Sequence, residues 1–129
     1  MGGKVPTSYY LSNNLPVAKD YMKTMTIGAG GKKKMKYDVD IARSILKWEF
    51  MTEGGDIKYR IYNKNSNVTN DFVPLSQVDS HMVMEEGEII CYEPGQYTLE
   101  FDNTFSYLRS KKLRYHILIN PPSSSENVY

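Results

Sequence analysis

The sequence predicts an all-β protein, an antiparallel β-sandwich of about seven or eight strands. Three observations carry this expectation. Apolar and polar residues alternate with a period of two through five segments, as strands with one buried and one wet face require. Clusters of glycine, proline and asparagine separate those segments. Tyrosine, which suits pleated and half-buried surfaces, occurs 11 times in 129 residues, and no long segment repeats with a helical period.

Taken in order, residues 1–18 are polar, contain Pro6 and Pro16 and read as a linker, with a short pre-strand at residues 8–11. The folded unit is expected at residues 19–120. Residues 21–27 are a weak strand candidate before a glycine-rich turn at residues 28–31. Met35, Tyr37, Val39 and Ile41 then alternate with Lys34, Lys36, Asp38 and Asp40. Leu46, Trp48 and Phe50 form the next inward row, closed by the turn Glu53-Gly54-Gly55-Asp56. Ile57, Tyr59 and Ile61 follow, then a turn at residues 63–67 and a short connection to Leu75. Residues 82–84 and 88–92 are weaker strands, with turns at Glu86-Gly87 and Glu93-Pro94-Gly95. Tyr97, Leu99 and Phe101 form one strong inward row, and Leu113, Tyr115, Ile117 and Ile119 form the last. Residues 121–129, with Pro-Pro and three serines, read as a disordered tail. There are no internal repeats.

A chain of this length buries roughly two-thirds of its unfolded surface, so neither a metal nor a disulfide is needed for stability. Cys91 is the single cysteine, which excludes an internal disulfide and fits a reducing, cytoplasmic setting. No apolar run approaches the ~20 residues of a membrane span, and no signal-peptide core is present. Pro6 stands where a myristoylation signal wants Ser or Thr. The sequon Asn67-Val68-Thr69 is read as turn chemistry. A net charge of +1 argues against nucleic-acid partners. That average conceals segregation: residues 76–102 carry acids and no Lys or Arg, whereas residues 109–114 carry four bases and no acid.

Nothing supports catalysis, a cofactor or a metal. His81, Cys91 and His116 have no zinc-ligand spacing. A phosphate loop ending at Gly31-Lys32-Lys33 would need glycine at Thr26 and Ser or Thr at Lys33. Glu85, Glu86, Glu88 and Glu93 read as solvated loop charge. What remains is surface. Lys34, Lys36, Lys58, Arg60, Lys112, Arg114 and His116 fall on the outward phase. If their strands are neighbours they form a basic contact face for acidic protein segments or anionic lipid headgroups. Phe105-Ser106-Tyr107-Leu108 is expected to fold back as a lid over one end of the sandwich, the alternative being contact with a membrane or partner.

Two stretches resemble the GOLD (Golgi dynamics) domain. Trp48-Glu49-Phe50 with Glu53-Gly54-Gly55-Asp56-Ile57 is similar to that family's tryptophan–phenylalanine and glycine/aspartate-turn signature. Pro94-Gly95-Gln96-Tyr97, Phe101-Asp102-Asn103-Thr104-Phe105-Ser106 and Ser110-Lys111-Lys112 resemble its closing segment. The likeness covers residues 20–119. It implies a jelly-roll-like sandwich with Trp48, Phe50, Tyr97 and Phe101 as signature core. Asp102 and Asn103 are expected to shape the turn through side-chain to backbone hydrogen bonds. Within the family the chain looks most like the C-terminal domain of Sec14-like CRAL-TRIO lipid-transfer proteins. Gly2-Gly3 through Tyr9-Tyr10 resembles the segment leaving their lipid-binding domain. A Golgi acyl-CoA-binding adaptor is the second likeness, set back by the absence of its long acidic insertion. The p24 cargo receptors have a signal peptide, a membrane span and a lumenal cysteine pair that this sequence lacks. The resemblance implies a non-catalytic module for protein–protein contacts in Golgi or vesicle trafficking or lipid transport. Its partner would be another protein or its own N-terminal lipid-binding domain, and its place the cytoplasm or the cytosolic face of Golgi or vesicle membranes. Peripheral binding of phosphoinositide headgroups through the basic face is the alternative. Ligand transport within the domain would need a cavity that the closely spaced aromatics leave little room for.

Overall fold

A computed structural model describes residues 18–65 and 68–122. The predicted class holds: eight strands form two four-stranded antiparallel sheets. The strands are β1 (Lys23–Ile27), β2 (Lys32–Val39), β3 (Ser44–Glu53), β4 (Ile57–Asn65), β5 (Val68–Val78), β6 (Glu85–Cys91), β7 (Gly95–Asp102) and β8 (Lys111–Asn120). One sheet has the order β1-β8-β3-β6 and the other β2-β7-β4-β5. The chain changes sheet at every connection except the β4–β5 hairpin. Consecutive strands therefore face each other across the core, and their apolar rows meet there.

The alternating rows supply that core. Leu46, Trp48 and Phe50 of β3, Ile57, Tyr59 and Ile61 of β4, and Tyr97, Leu99 and Phe101 of β7 are all buried in one cluster. Phe50 lies edge-on to both Tyr59 and Phe101, with ring centroids 4.9 Å apart in each pair. That geometry suits the aromatic quadrupole, and side chains fill the space between the sheets.

Several details differ from the sequence reading. The connection expected before Leu75 is an eleven-residue strand, β5. It is an edge strand whose register with β4 shifts at Ile61, and Pro74 falls in that irregularity, between the Tyr59–Ser76 and Ile61–Val73 pairs, where a proline is tolerated. Of the turn expected at 63–67, residues 63–65 belong to β4 and residues 66–67 lie outside the described residues. Residues 82–84 form no strand; the Met82 and Val83 amides donate to the Asp79 carbonyl in a turn. Ile41 lies beyond β2 and is exposed. Gly87, read as a turn residue, sits within β6 opposite Trp48. A Cβ there would lie 2.5 Å from the indole, so the glycine makes room for the tryptophan. The outward residues Thr98, Glu100 and Asp102 of β7 are also buried, because β2 and β4 flank that strand and their long basic side chains cover it. The pre-strand at 8–11, the segment 2–10, Asn67 and the tail from 123 lie outside the described residues.

Candidate interaction surfaces

The sandwich divides the expected basic face. Lys34 and Lys36 on β2 and Lys58 and Arg60 on β4 belong to one sheet, with β7 between them. Lys112 and Arg114 on β8 belong to the other. The outward faces of a sandwich point in opposite directions, so the six residues do not share one face. Several are also engaged locally. Arg60 donates to Asp71 at 2.6 Å and lies 4.2 Å from the Tyr62 ring centroid. Arg114 donates to Glu53 at 2.9 Å, and that bond holds the Glu53 carboxyl below its ordinary pKa. Lys34 lies 4.0 Å from the buried Glu100. Lys36 and Lys112 are exposed. His116 is partly buried and lies edge-on to Tyr21, with centroids 4.5 Å apart.

The acidic residues are also placed differently. Glu85, Glu86 and Glu88 lie in edge strand β6 rather than in a loop. Glu85 accepts a hydrogen bond from Tyr59 at 2.9 Å, and Lys47 approaches Glu88 at 3.9 Å. Among the described residues, no group of three or more His, Cys, Asp or Glu is placed to hold a metal ion. Cys91 is fully buried, and burial pushes its thiol pKa up, the opposite of what a nucleophile needs. Burial likewise pushes the Tyr97 hydroxyl up to about 12. No helix of the described residues is long and apolar enough to cross a membrane.

The closing segment is the most organised polar region. Asn103 is fully buried at the end of β7. Its Nδ2 donates to the carbonyls of Arg109 at 2.9 Å, Gly28 at 3.1 Å and Ile27 at 3.3 Å. Its Oδ1 accepts from the Lys111 ammonium at 2.9 Å. Its backbone N–H donates to Gly31, and its carbonyl accepts from Gly30 and Ser106. One side chain thus joins the β1–β2 turn, the β7–β8 loop and the start of β8. Lys111 is only 2% exposed and also donates to the Asp56 carbonyl at 2.8 Å. Burial lowers its pKa, and the nearby Asp56 charge only partly opposes that. Gly54 has φ 105°, and a Cβ there would meet the Ser110 carbonyl at 2.8 Å, so the β3–β4 turn packs against the same loop. For Asp102, burial alone would raise the pKa. The Thr104 hydroxyl and amide bonds, with the Lys32 and Lys58 charges, outweigh it and hold the carboxyl low. Asp102 and Asn103 thus shape the turn by side-chain bonds, as their chemistry suggests.

The expected lid is not formed. Phe105 is half-buried, with the Lys111 and Lys58 ammoniums 4.7 and 5.3 Å from its ring centroid. Tyr107 is 87% exposed and Leu108 94%. Their neighbours hold each other instead of covering the core. The Ser106 hydroxyl donates to the Arg109 carbonyl at 3.2 Å, and the Arg109 guanidinium reaches the Gly54 carbonyl at 3.4 Å.

No family model matches the chain. The chain is similar to protein ctg-1 of Caenorhabditis elegans. Identity is 30% over 124 residues, covering 92% of the chain. It is also 29% identical over 82 residues, 60% of the chain, to FYVE and coiled-coil domain-containing protein 1 of Homo sapiens, with the same values for that protein of Mus musculus. The chain spans 32% of the length of the worm protein and 6% of the human one. Among solved structures, one described as "CBM4 structure and function" superposes with a TM-score of 0.51 at 7% identity, over 78% of this chain and 84% of that one. This last likeness is one of fold alone.

Proposed function

We propose that this chain is a non-catalytic, GOLD-like interaction module serving Golgi or vesicle trafficking on the cytosolic side of membranes. One observation carries the reading. A stretch about 30% identical to this chain makes up about a third of one relative, and a stretch 29% identical to part of it a small fraction of another. A unit that keeps its fold among different neighbours is a portable domain, and the contacts it makes, rather than chemistry of its own, suit it to that use. The filled core supports a contact surface over an internal ligand site.

The finer reading is a Sec14-like lipid-binding protein whose GOLD-like domain holds a protein partner or its own lipid-binding domain. It is motivated by residues 2–10 and the missing acidic insertion. The acyl-CoA-binding adaptor remains second. Headgroup binding on a sheet face is favoured only by Lys34, Lys36 and Lys58, which share one sheet. The test is localisation and partner capture by the full-length protein with and without residues 19–120. We expect loss of Golgi or vesicle localisation and of discrete, detergent-resistant partners on deletion. Unchanged localisation and partners would remove the proposal.

A further inference from the structure

The described residue most exposed among the large apolar ones, Leu108, stands beside the next, Tyr107, at the tip of the β7–β8 loop. This exposure belongs to an ordered turn. The Ser106 hydroxyl donates to the Arg109 carbonyl and accepts from the Arg109 amide, and Asn103 donates to the same carbonyl from below. Around the tip lie cations from both sheets. Lys32 and Lys58 flank Asp102 from the adjacent strands β2 and β4. Arg109 is in the loop, and Lys112 is the second residue of β8. Three carboxylates lie nearby, Glu53 bonded by Arg114, Asp56 by Gln77 and Asp102 by Thr104. Against them stand six cations, Lys32, Lys58, Arg109, Lys111, Lys112 and Arg114, so the end of the sandwich presents two apolar side chains amid an excess of positive charge.

We propose that this end docks on an anionic bilayer. Tyr107 and Leu108 enter the interfacial region while Lys32, Lys58, Arg109 and Lys112 lie at the headgroups. Tyrosine favours that boundary, with its ring in the apolar layer and its hydroxyl in the wet one. A bilayer fits better than a protein partner, because a stable protein interface takes about 800 Å² per side and two projecting side chains do not supply it. A bilayer needs no matching shape, and each basic residue near an anionic leaflet contributes about fivefold in partition. The proposal does not depend on the adaptor reading, since its test reads lipid binding and not localisation or partners.

The experiment is vesicle co-sedimentation of the whole chain at about 0.15 M salt, with phosphatidylcholine alone and with added phosphatidylserine. Partition is expected only with the anionic lipid. Tyr107→Asp with Leu108→Asp should reduce it about tenfold or more, with an unchanged melting temperature because both side chains are exposed. Arg109→Glu with Lys112→Glu should reduce it comparably, and Lys34→Glu with Lys36→Glu much less. Leu108→Trp should shift its emission to the blue on anionic vesicles and be quenched from within the bilayer. The proposal is overturned if the wild-type chain ignores anionic vesicles, if the loop variant partitions like wild type, or if the sheet-face variant loses as much as the loop variant. Loss of a protein partner by the loop variant without any vesicle binding would make the tip a protein contact and also sink it.

Discussion

Replacing Asn103 by alanine should be among the most damaging single polar changes in this domain. The side chain is fully buried, and its two N–H groups serve three carbonyls while its oxygen serves Lys111. Alanine removes a donor from each of those carbonyls, of which Gly28 keeps the Gly31 amide and Arg109 the Ser106 hydroxyl, and leaves Lys111 with one bond in place of two. A buried group left unpaired costs about 1–3 kcal/mol, and a bond to a charged group is worth about 1.5–3 kcal/mol. The losses share one small space and do not add fully, so the lower ends apply. Together they predict about 2–3 kcal/mol, a large share of the ~5–15 kcal/mol typical of a domain. At about 4 °C per kcal/mol, melting should fall by roughly 8–12 °C. Equilibrium urea unfolding followed by circular dichroism measures the first figure and calorimetry the second. Asn103→Asp keeps the shape and the Lys111 partner but sets a carboxylate against three carbonyls, so it should not rescue. An Asn103→Ala chain within about 1 kcal/mol of wild type would refute the hub described for the closing segment. The same variant should weaken vesicle docking, since the tip rests on the Arg109 carbonyl that Asn103 holds.

Trp48→Ala removes a 5%-exposed indole between the sheets and should cost about 3–5 kcal/mol in urea unfolding; a near-neutral result would mean that the indole is not packed. Gly87→Val adds atoms where a Cβ already lies 2.5 Å from Trp48, and should cost about 1–3 kcal/mol despite the better strand propensity of valine; stabilisation would refute the close approach. Asp102 has its pKa held below the unfolded value, so its contribution is complete above pH ~4 and is lost as pH falls through the lower folded value. Asp102→Asn should therefore flatten the acid limb of the stability–pH curve, and an unchanged limb would count against the Thr104 bonds. Cys91 should resist alkylation in the native chain and react on unfolding; fast native labelling would contradict its burial.

Period two reveals which residues of a strand face inward, and it located Trp48, Phe50, Tyr97 and Phe101 because their rows are strongly apolar. It does not say which sheet a strand joins. That is why Lys112 and Arg114 were grouped with lysines that lie on the opposite layer. Strand β5 was illegible for a different reason. Thr69, Asn70, Asp71, Ser76 and Gln77 leave little apolar alternation, and Pro74 reads as a breaker until the strand is known to lie at an edge. Gly87 shows a third limit: only the indole across the ladder distinguishes a turn glycine from one that admits a ring. The apolar turn at 105–108 was visible in the sequence, but not its exposure. Exposure depends on the Ser106–Arg109 bonds and on Phe105 being taken up by Lys58 and Lys111.

The topology also explains why this one loop can bear a contact. β7 lies between β2 and β4 in one sheet, and β8 between β1 and β3 in the other. The loop that carries Tyr107 and Leu108 thus joins an inner strand of each layer, and Asn103 pins it to the β1–β2 turn as well. A load on the tip is shared by both sheets, whereas a load on β5 or β6 meets an edge with a single neighbour. The same arrangement makes β8 indispensable: without it β1 has no partner and β3 retains only β6. Most pairings join strands distant in sequence, which favours slow folding. The first sheet cannot close until β8 is in place. The tip links β7 of one sheet to β8 of the other, so its geometry depends on both sheets being in place.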